Sequence, residues 1–146
     1  MKYYFAPMEG ITGYIYRSVH HEFFPGMEKY FTPFLSPGPK KALTDREIRD
    51  ILPEHNRGMT VVPQILTNRS EDFTRTAHVL KDYGYQEVNL NLGCPSGTVT
   101  AKKKGAGFLE YTEELNVFLD GIFQNSCMEI SVKTRIGKED PEEFEQ

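Results

Sequence analysis

Long apolar runs are missing from this 146-residue chain. Nowhere do about 18 apolar residues follow one another, which excludes a membrane-spanning helix. The opening MKYYFAPMEG has one Lys and no apolar stretch ending in a small-residue cleavage site, so no secretory leader is expected. Cysteine is scarce: Cys94 and Cys127 are too few for a disulfide scaffold and suit a reducing cytoplasm. There is no CxxC pair, no His–Cys spacing suited to a metal, no GxGxxG and no P-loop, so a metal site is not expected. Low-complexity tracts and linkers are also lacking, which leaves one domain. Positive charge is not in excess. Seventeen Lys and Arg face 21 Asp and Glu, net −4, which argues against a basic coat for nucleic acid. The deficit sits at the end, where KEDPEEFEQ (138–146) carries one Lys and five acids. The body is neutral, so a local basic patch remains open.

What is present alternates. Short β-rich apolar runs occur at Tyr3–Met8, Lys29–Leu35, Thr60–Leu66, Glu87–Leu92 and Glu129–Ile136. Helical spacing lies between them. Ile15, Val19 and Phe23 recur every fourth residue, and Lys41–Leu52 is a weaker helix with Ile48, Ile51 and Leu52 on one face. Phe73, Ala77 and Leu80 follow Ser70 as a candidate N-cap, with Gly84 as the stop. Leu115, Phe118, Leu119, Ile122 and Phe123 form a stripe after Thr112, with Glu113 and Glu114 set to complement the helix dipole. Asp140-Pro141-Glu142-Glu143 reads as the first turn of one more helix. Repeated βα units mean an α/β protein with a parallel sheet. Five such strands make roughly the first half of a (β/α)8 barrel; the alternative is a complete five-stranded doubly wound sheet. The lack of a phosphate-binding glycine loop after the first strand weighs against the latter.

A parallel α/β fold builds its site at the C-terminal ends of its strands. Those ends carry Pro7-Met8-Glu9-Gly10, Gln64, Asn91-Leu92-Gly93-Cys94-Pro95-Ser96, and Lys133 with Arg135. Gln64 taken alone reads as a strand-end amide paired with backbone. Lys133 and Arg135, at i and i+2, share one face of the fifth strand, and two cations pointing into a barrel require an anionic partner. Cys94 reads either as a small buried hydrophobe or as a residue of the site mouth. Pro95 favours extended backbone at Cys94, so the side chain should project from the turn. A thiol, mostly protonated at pH 7, suits a proton donor as well as a nucleophile. Cys127, at the entry of the fifth strand, receives no chemistry.

Five segments in order complete the picture: Ala6-Pro7-Met8-Glu9-Gly10-Ile11-Thr12, Gln64, Asn91-Leu92-Gly93-Cys94-Pro95, Lys104-Gly105-Ala106-Gly107 and Val132-Lys133-Thr134-Arg135-Ile136-Gly137. In these the chain resembles the N-terminal half of the tRNA-dihydrouridine synthases, flavin-dependent (β/α)8 enzymes. The resemblance implies reduction of the uridine 5,6 double bond in tRNA, with FMN as cofactor and NADPH as reductant. Hydride would go from the flavin to C6, and Cys94 would protonate C5. It implies cofactor contacts from Pro7, Met8, Glu9, Gln64 (to the flavin's pyrimidine edge) and Lys133, and substrate contacts from Asn91 and Arg135. RNA backbone contacts would come from Lys102, Lys103 and Lys104, with Arg69, Lys40 and Lys41 weaker. The lysine run taken alone also reads as a solvated loop. Residues 1–146 would be the N-terminal part of the FMN-binding barrel. The flavin-phosphate loops and a C-terminal helical tRNA-binding domain are expected beyond Gln146, so these residues alone should hold flavin weakly. The partner implied is tRNA, with no membrane, in the cytoplasm. Position 89 is Asn where such enzymes commonly have an acid. Two alternatives stand beside this reading. One is an FMN barrel acting on a free pyrimidine, like dihydroorotate or dihydropyrimidine dehydrogenases. The other is an inert half-barrel that self-associates through open sheet edges.

Overall fold

A computed structural model describes residues 1–39 and 41–145. Lys40 and Gln146 lie outside the described residues.

Five strands, β1 (Tyr4–Phe5), β2 (Lys29–Leu35), β3 (Val61–Ile65), β4 (Glu87–Leu92) and β5 (Glu129–Thr134), form one parallel sheet in the order β1-β2-β3-β4-β5. That order decides between the two architectures. A doubly wound sheet reverses its strand order at a switch point, whereas here each strand adds beside its predecessor, as in a (β/α)8 barrel. The chain is a half-barrel with helices α1 (Tyr14–Phe23), α2 (Asp45–Ile51), α3 (Ser70–Asp82), α4 (Gly97–Thr100) and α5 (Thr112–Gln124).

Period-two alternation sorts each strand's side chains. On β4, Val88, Leu90 and Leu92 enter the helix-side core with Leu35, Ile51, Ile65, Phe73, Leu80, Phe108, Phe118 and Ile122. Asn89 and Asn91 point to the opposite, concave face, where their register partners on β5 are Ser131 and Lys133.

The helix ends differ from the sequence reading in three places. Ser70 is the first helical residue of α3 and not its cap; Arg69 holds the cap position in extended backbone without a side-chain bond. Helix α2 starts at Asp45 rather than Lys41, because Thr44 and Glu47 close a capping box that fixes its start. The Pro141–Glu145 segment is a 3-10 turn, with the Glu143 carboxylate accepting from the Lys138 and Asp140 amides. Gly84 ends α3 as expected, with φ +93°.

Helix α1 carries an unexpected core residue. Ile15, Val19 and Phe23 are exposed, and the buried side chain is Arg17. Its guanidinium donates to the Thr12 carbonyl (2.9 Å), Asp50 Oδ2 (3.0 Å), the Asp50 carbonyl (2.7 Å) and Asn56 Oδ1 (2.9 Å). Asp50 Oδ1 in turn accepts from the Tyr14 amide at 2.6 Å. This buried cluster ties the β1–α1 loop to the end of α2. Among the described residues no helix is long and apolar enough to cross a membrane.

Candidate active site

At the C-terminal rim, the β1–α1 loop folds back on itself. The amides of Ile11 and Thr12 donate to the Met8 carbonyl, and the Met8 amide donates to Thr12 Oγ1 at 2.8 Å. The buried Thr12 thereby fixes a tight turn that leaves Met8 exposed and Pro7 half-buried. Glu9 turns toward α2, 3.5 Å from Arg46. Partial burial, opposed by Arg46, raises its pKa. Glu9 lines a cleft of about 500 Å³ between this loop and α2, together with Tyr14, Phe34, Arg46, Arg49 and Asp50. Neither Cys94, Gln64 nor Lys133 lines that cleft. They belong to the open concave face and the rim above it.

Three buried amides span that face. Gln64 is 1 % exposed, Asn89 2 % and Asn91 6 %. Asn91 Nδ2 donates to Gln64 Oε1 (2.7 Å), Gln64 Nε2 donates to Asn89 Oδ1 (2.7 Å), and Asn89 Nδ2 donates to Ser131 Oγ (2.9 Å). The Gln64 amide nitrogen of the main chain donates to Thr32 Oγ1. Such buried polar groups cost free energy unless paired, and here each is. Gln64, expected at a flavin edge, thus has both amide heteroatoms engaged by neighbouring asparagines. Position 89 entered the sequence reading only as the place of a missing acid, and Ser131 did not enter it. The alternation of Asn89 and Asn91 between Val88, Leu90 and Leu92 was the available signal for the first, and the i−2 spacing of Ser131 from Lys133 for the second.

Asn91 does more than join Gln64. Its Oδ1 accepts from the amides of Gly93 (3.1 Å) and Cys94 (3.0 Å), pinning the turn that follows β4. Cys94 is a free, half-buried thiol at the rim. Its carbonyl accepts from the Ala106 amide. Lys104-Gly105-Ala106-Gly107 packs beneath this turn at backbone distance. A Cβ on Gly105, at φ +56°, would lie 2.7 Å from the Cys94 carbonyl oxygen; one on Gly107 would lie 2.6 Å from Thr100 Cα. Only glycine permits that approach. Across the same turn, a Cβ on Gly93 would sit 3.4 Å from Arg135 Cγ, which puts Arg135 beside the Cys94 turn. Lys133 and Arg135 are exposed and form no ion pair among the described residues.

The lysine run divides three ways. Lys102 is exposed. Lys103, at φ +52°, binds Glu114 at 2.9 Å and lies 3.8 Å from the Tyr111 ring centroid. Lys104 is half-buried, and burial lowers its pKa while Asp72 opposes the shift. Arg69 reaches toward Asp72 (3.6 Å) and Lys41 pairs with Asp45 (2.7 Å). Lys40 lies outside the described residues. No cluster of metal-ligating side chains occurs among the described residues.

The rim thus brings together the half-buried Cys94 thiol, Arg135 beside its turn, and a floor of buried amides in which Asn91 is the register neighbour of Lys133. The family model described as dihydrouridine synthase (Dus) matches residues 4–146. The chain is 24 % identical over 134 residues to tRNA-dihydrouridine synthase B of Pasteurella multocida, covering 92 % of this chain and 40 % of that protein. It is 28 % identical over 143 residues to a probable tRNA-dihydrouridine synthase of Staphylococcus epidermidis, covering 95 % and 42 %. Against tRNA-dihydrouridine synthase B of Serratia marcescens it is 27 % identical over 132 residues, covering 90 % and 39 %. The chain thus spans about two fifths of the length of these relatives. With the match running through all five strands, the chain belongs to the dihydrouridine synthase family.

Proposed function

We propose that this chain is the cysteine-bearing, N-terminal part of the FMN-binding barrel of a tRNA-dihydrouridine synthase. The remaining barrel and a C-terminal helical tRNA-binding domain would come from the further length that its relatives have. The observation that carries the reading is the Cys94 turn, pinned by Asn91 beside Arg135 at the rim of the half-barrel. The residues present suit a flavin: an exposed apolar side chain at Met8 on the β1–α1 loop, and at Lys133 a cation that forms no ion pair among the described residues and has Asn91 as its register neighbour. FMN, when bound and reduced by NADPH, supplies hydride to C6 of the uracil ring.

The chain's own residues supply the rest. Cys94 holds the proton at Sγ that C5 receives, and the pinned turn keeps that sulfur at the rim, where an extruded base arrives. Lys133 places positive charge where the reaction leaves electron density, in a site from which water is excluded once ligands fill the face. Pro7 and Met8 present apolar surface to the ring, with their loop held by Thr12 and Arg17. Gln64 offers the pyrimidine edge its one remaining amide hydrogen, Asn91 orients the reacting ring, and Arg135 meets the substrate. Glu9 supports the cofactor loop from the α2 side through Arg46. Lys102 is the exposed cation for RNA phosphate, followed by Lys104; Lys103 serves by shaping the loop.

The test is dihydrouridine formation. A protein extended to its relatives' length, given FMN, NADPH and unmodified tRNA, should produce dihydrouridine detectable by nucleoside mass spectrometry. Turnover of free uracil or orotate, with tRNA left unchanged, would overturn the reading in favour of a free-pyrimidine enzyme.

A further inference from the structure

The amides of the concave floor form a directed chain, and its direction is fixed at one end. Main-chain N–H groups can only donate, so the atom of Asn91 that meets the Gly93 and Cys94 amides is its oxygen. The nitrogen of Asn91 must then face Gln64, whose oxygen accepts it and whose nitrogen faces Asn89. Asn89 accepts through its oxygen, so its own nitrogen points at Ser131 Oγ. Turning any one of the three amides would set like atoms against each other at hydrogen-bond distance. Because Gln64, Asn89 and Asn91 are buried, water cannot replace a lost partner without opening the floor.

We infer that Asn89 and Ser131 are positioning residues for Cys94: through Gln64 and Asn91, they lock the amide orientation that holds the Cys94 turn at the rim. This rests on the reading of Cys94 as the reacting thiol, but only for its purpose; the relay itself is a property of this chain. Ser131 belongs to it as an acceptor, which leaves its hydroxyl hydrogen free for the concave face. Asn89 is the link that an apolar side chain breaks and a carboxylate repairs. An aspartate there accepts from Gln64 Nε2 on one oxygen and from the Ser131 hydroxyl on the other. Arg17, Lys103 and the glycine-rich segment also support the rim, but none of them bonds to these amides.

Alkylation of the two cysteines by iodoacetamide tests the relay without cofactor or substrate. Cys127, at the opposite end of the sheet, is the internal reference, and peptide mass spectrometry reads both rates. Asn89→Leu removes the bonds to both Gln64 and Ser131 and should speed alkylation of Cys94 about fivefold, the factor set by the one ordinary hydrogen bond, that to Gln64, lost on the Cys94 side. Amide hydrogen exchange at Gly93 and Cys94 should speed by the same factor, while Cys127 keeps its wild-type rate. Asn89→Asp should restore Cys94 to the wild-type rate, and Ser131→Ala should accelerate Cys94 alone by a smaller factor. Unchanged Cys94 reactivity and unchanged exchange in Asn89→Leu would overturn the relay. So would equal acceleration of both cysteines without rescue by Asp, since that marks general loosening. If circular dichroism shows Asn89→Leu unfolded, Ser131→Ala and Asn89→Asp decide: acceleration confined to Cys94 in the first and a wild-type rate in the second support the relay, and any other pair of results overturns it. Failure of Cys94 as the proton donor would show instead as continued uridine reduction in Cys94→Ala, a readout separate from the alkylation rates, which are measured on proteins that keep Cys94.

Discussion

Replacing Arg17 with Met should be among the most damaging single changes in this chain. The guanidinium is fully buried and donates to four acceptors, two of them main-chain carbonyls at Thr12 and Asp50. Methionine fills similar space but donates to none of them. Asp50, whose side chain is 16 % exposed, would keep only the Tyr14 amide as partner. Removing one partner of a buried ion pair costs about 3–5 kcal/mol, because the other charge is left stranded. Against a total stability of about 5–15 kcal/mol that is a large share. At about 2–4 °C per kcal/mol for a chain of this size, the melting temperature should fall by roughly 6–20 °C. Urea denaturation followed by circular dichroism measures the loss. Arg17→Met combined with Asp50→Asn should be less unstable than the two single losses added, since the stranded charge is gone while the Tyr14 amide keeps its acceptor. A loss below about 1 kcal/mol in Arg17→Met would refute the claim that this cluster anchors the β1–α1 loop.

Tyr85 donates its hydroxyl to the Ile51 carbonyl at 2.6 Å, and burial pushes its pKa up to about 12 from 10.0. Between those values the unfolded chain loses a proton that the folded chain keeps, so stability should fall as pH rises from 10 to 12, by at most about 2–3 kcal/mol, and Tyr85→Phe should flatten that limb of a denaturation series. Gly107→Ala forces a Cβ to 2.6 Å from Thr100 Cα and should cost about 1–3 kcal/mol while raising Cys94 alkylation, since the same segment supports the Cys94 carbonyl. In filter binding with tRNA, Lys102→Ala should reduce the salt dependence of affinity by about one phosphate contact, whereas Lys103→Ala should change it little, its ammonium being engaged by Glu114 and Tyr111. These 146 residues alone should retain little FMN through gel filtration, and the extended protein should retain it firmly.

Strand placement was legible because apolar alternation fixes it: β2 and β4 have the bounds expected, and β3 and β5 differ only at their ends. The rim residues were legible from the rule that parallel strands present chemistry at their C-terminal ends, which singled out Asn91, Cys94 and Arg135. Other features depend on tertiary placement that local spacing does not carry. Ile15, Val19 and Phe23 mark a helix, yet that stripe is exposed in this half-barrel, and an arginine between Tyr16 and Ser18 reads as solvated until Asp50 and Asn56 arrive from more than 30 residues away. The short helix α4 was missed because Ser-Gly-Thr-Val-Thr has the composition of a loop; the Gly107 contact against Thr100 is what packs it. The amide relay needed strand register: Gln64 beside Asn89, and Asn89 beside Ser131, become neighbours only when three strands align. Lys103 looked like its flanking lysines until α5 brought Glu114 to it.

Under the proposed function, Cys94 delivers the proton that completes uridine reduction. Cys94→Ala in the extended protein, assayed for dihydrouridine in tRNA alongside flavin bleaching by NADPH, tests it directly. Bleaching at the wild-type rate with dihydrouridine formation reduced by about 10²–10⁴, the contribution of one positioned general acid, is the expected result. Dihydrouridine accumulating at the wild-type rate would contradict it.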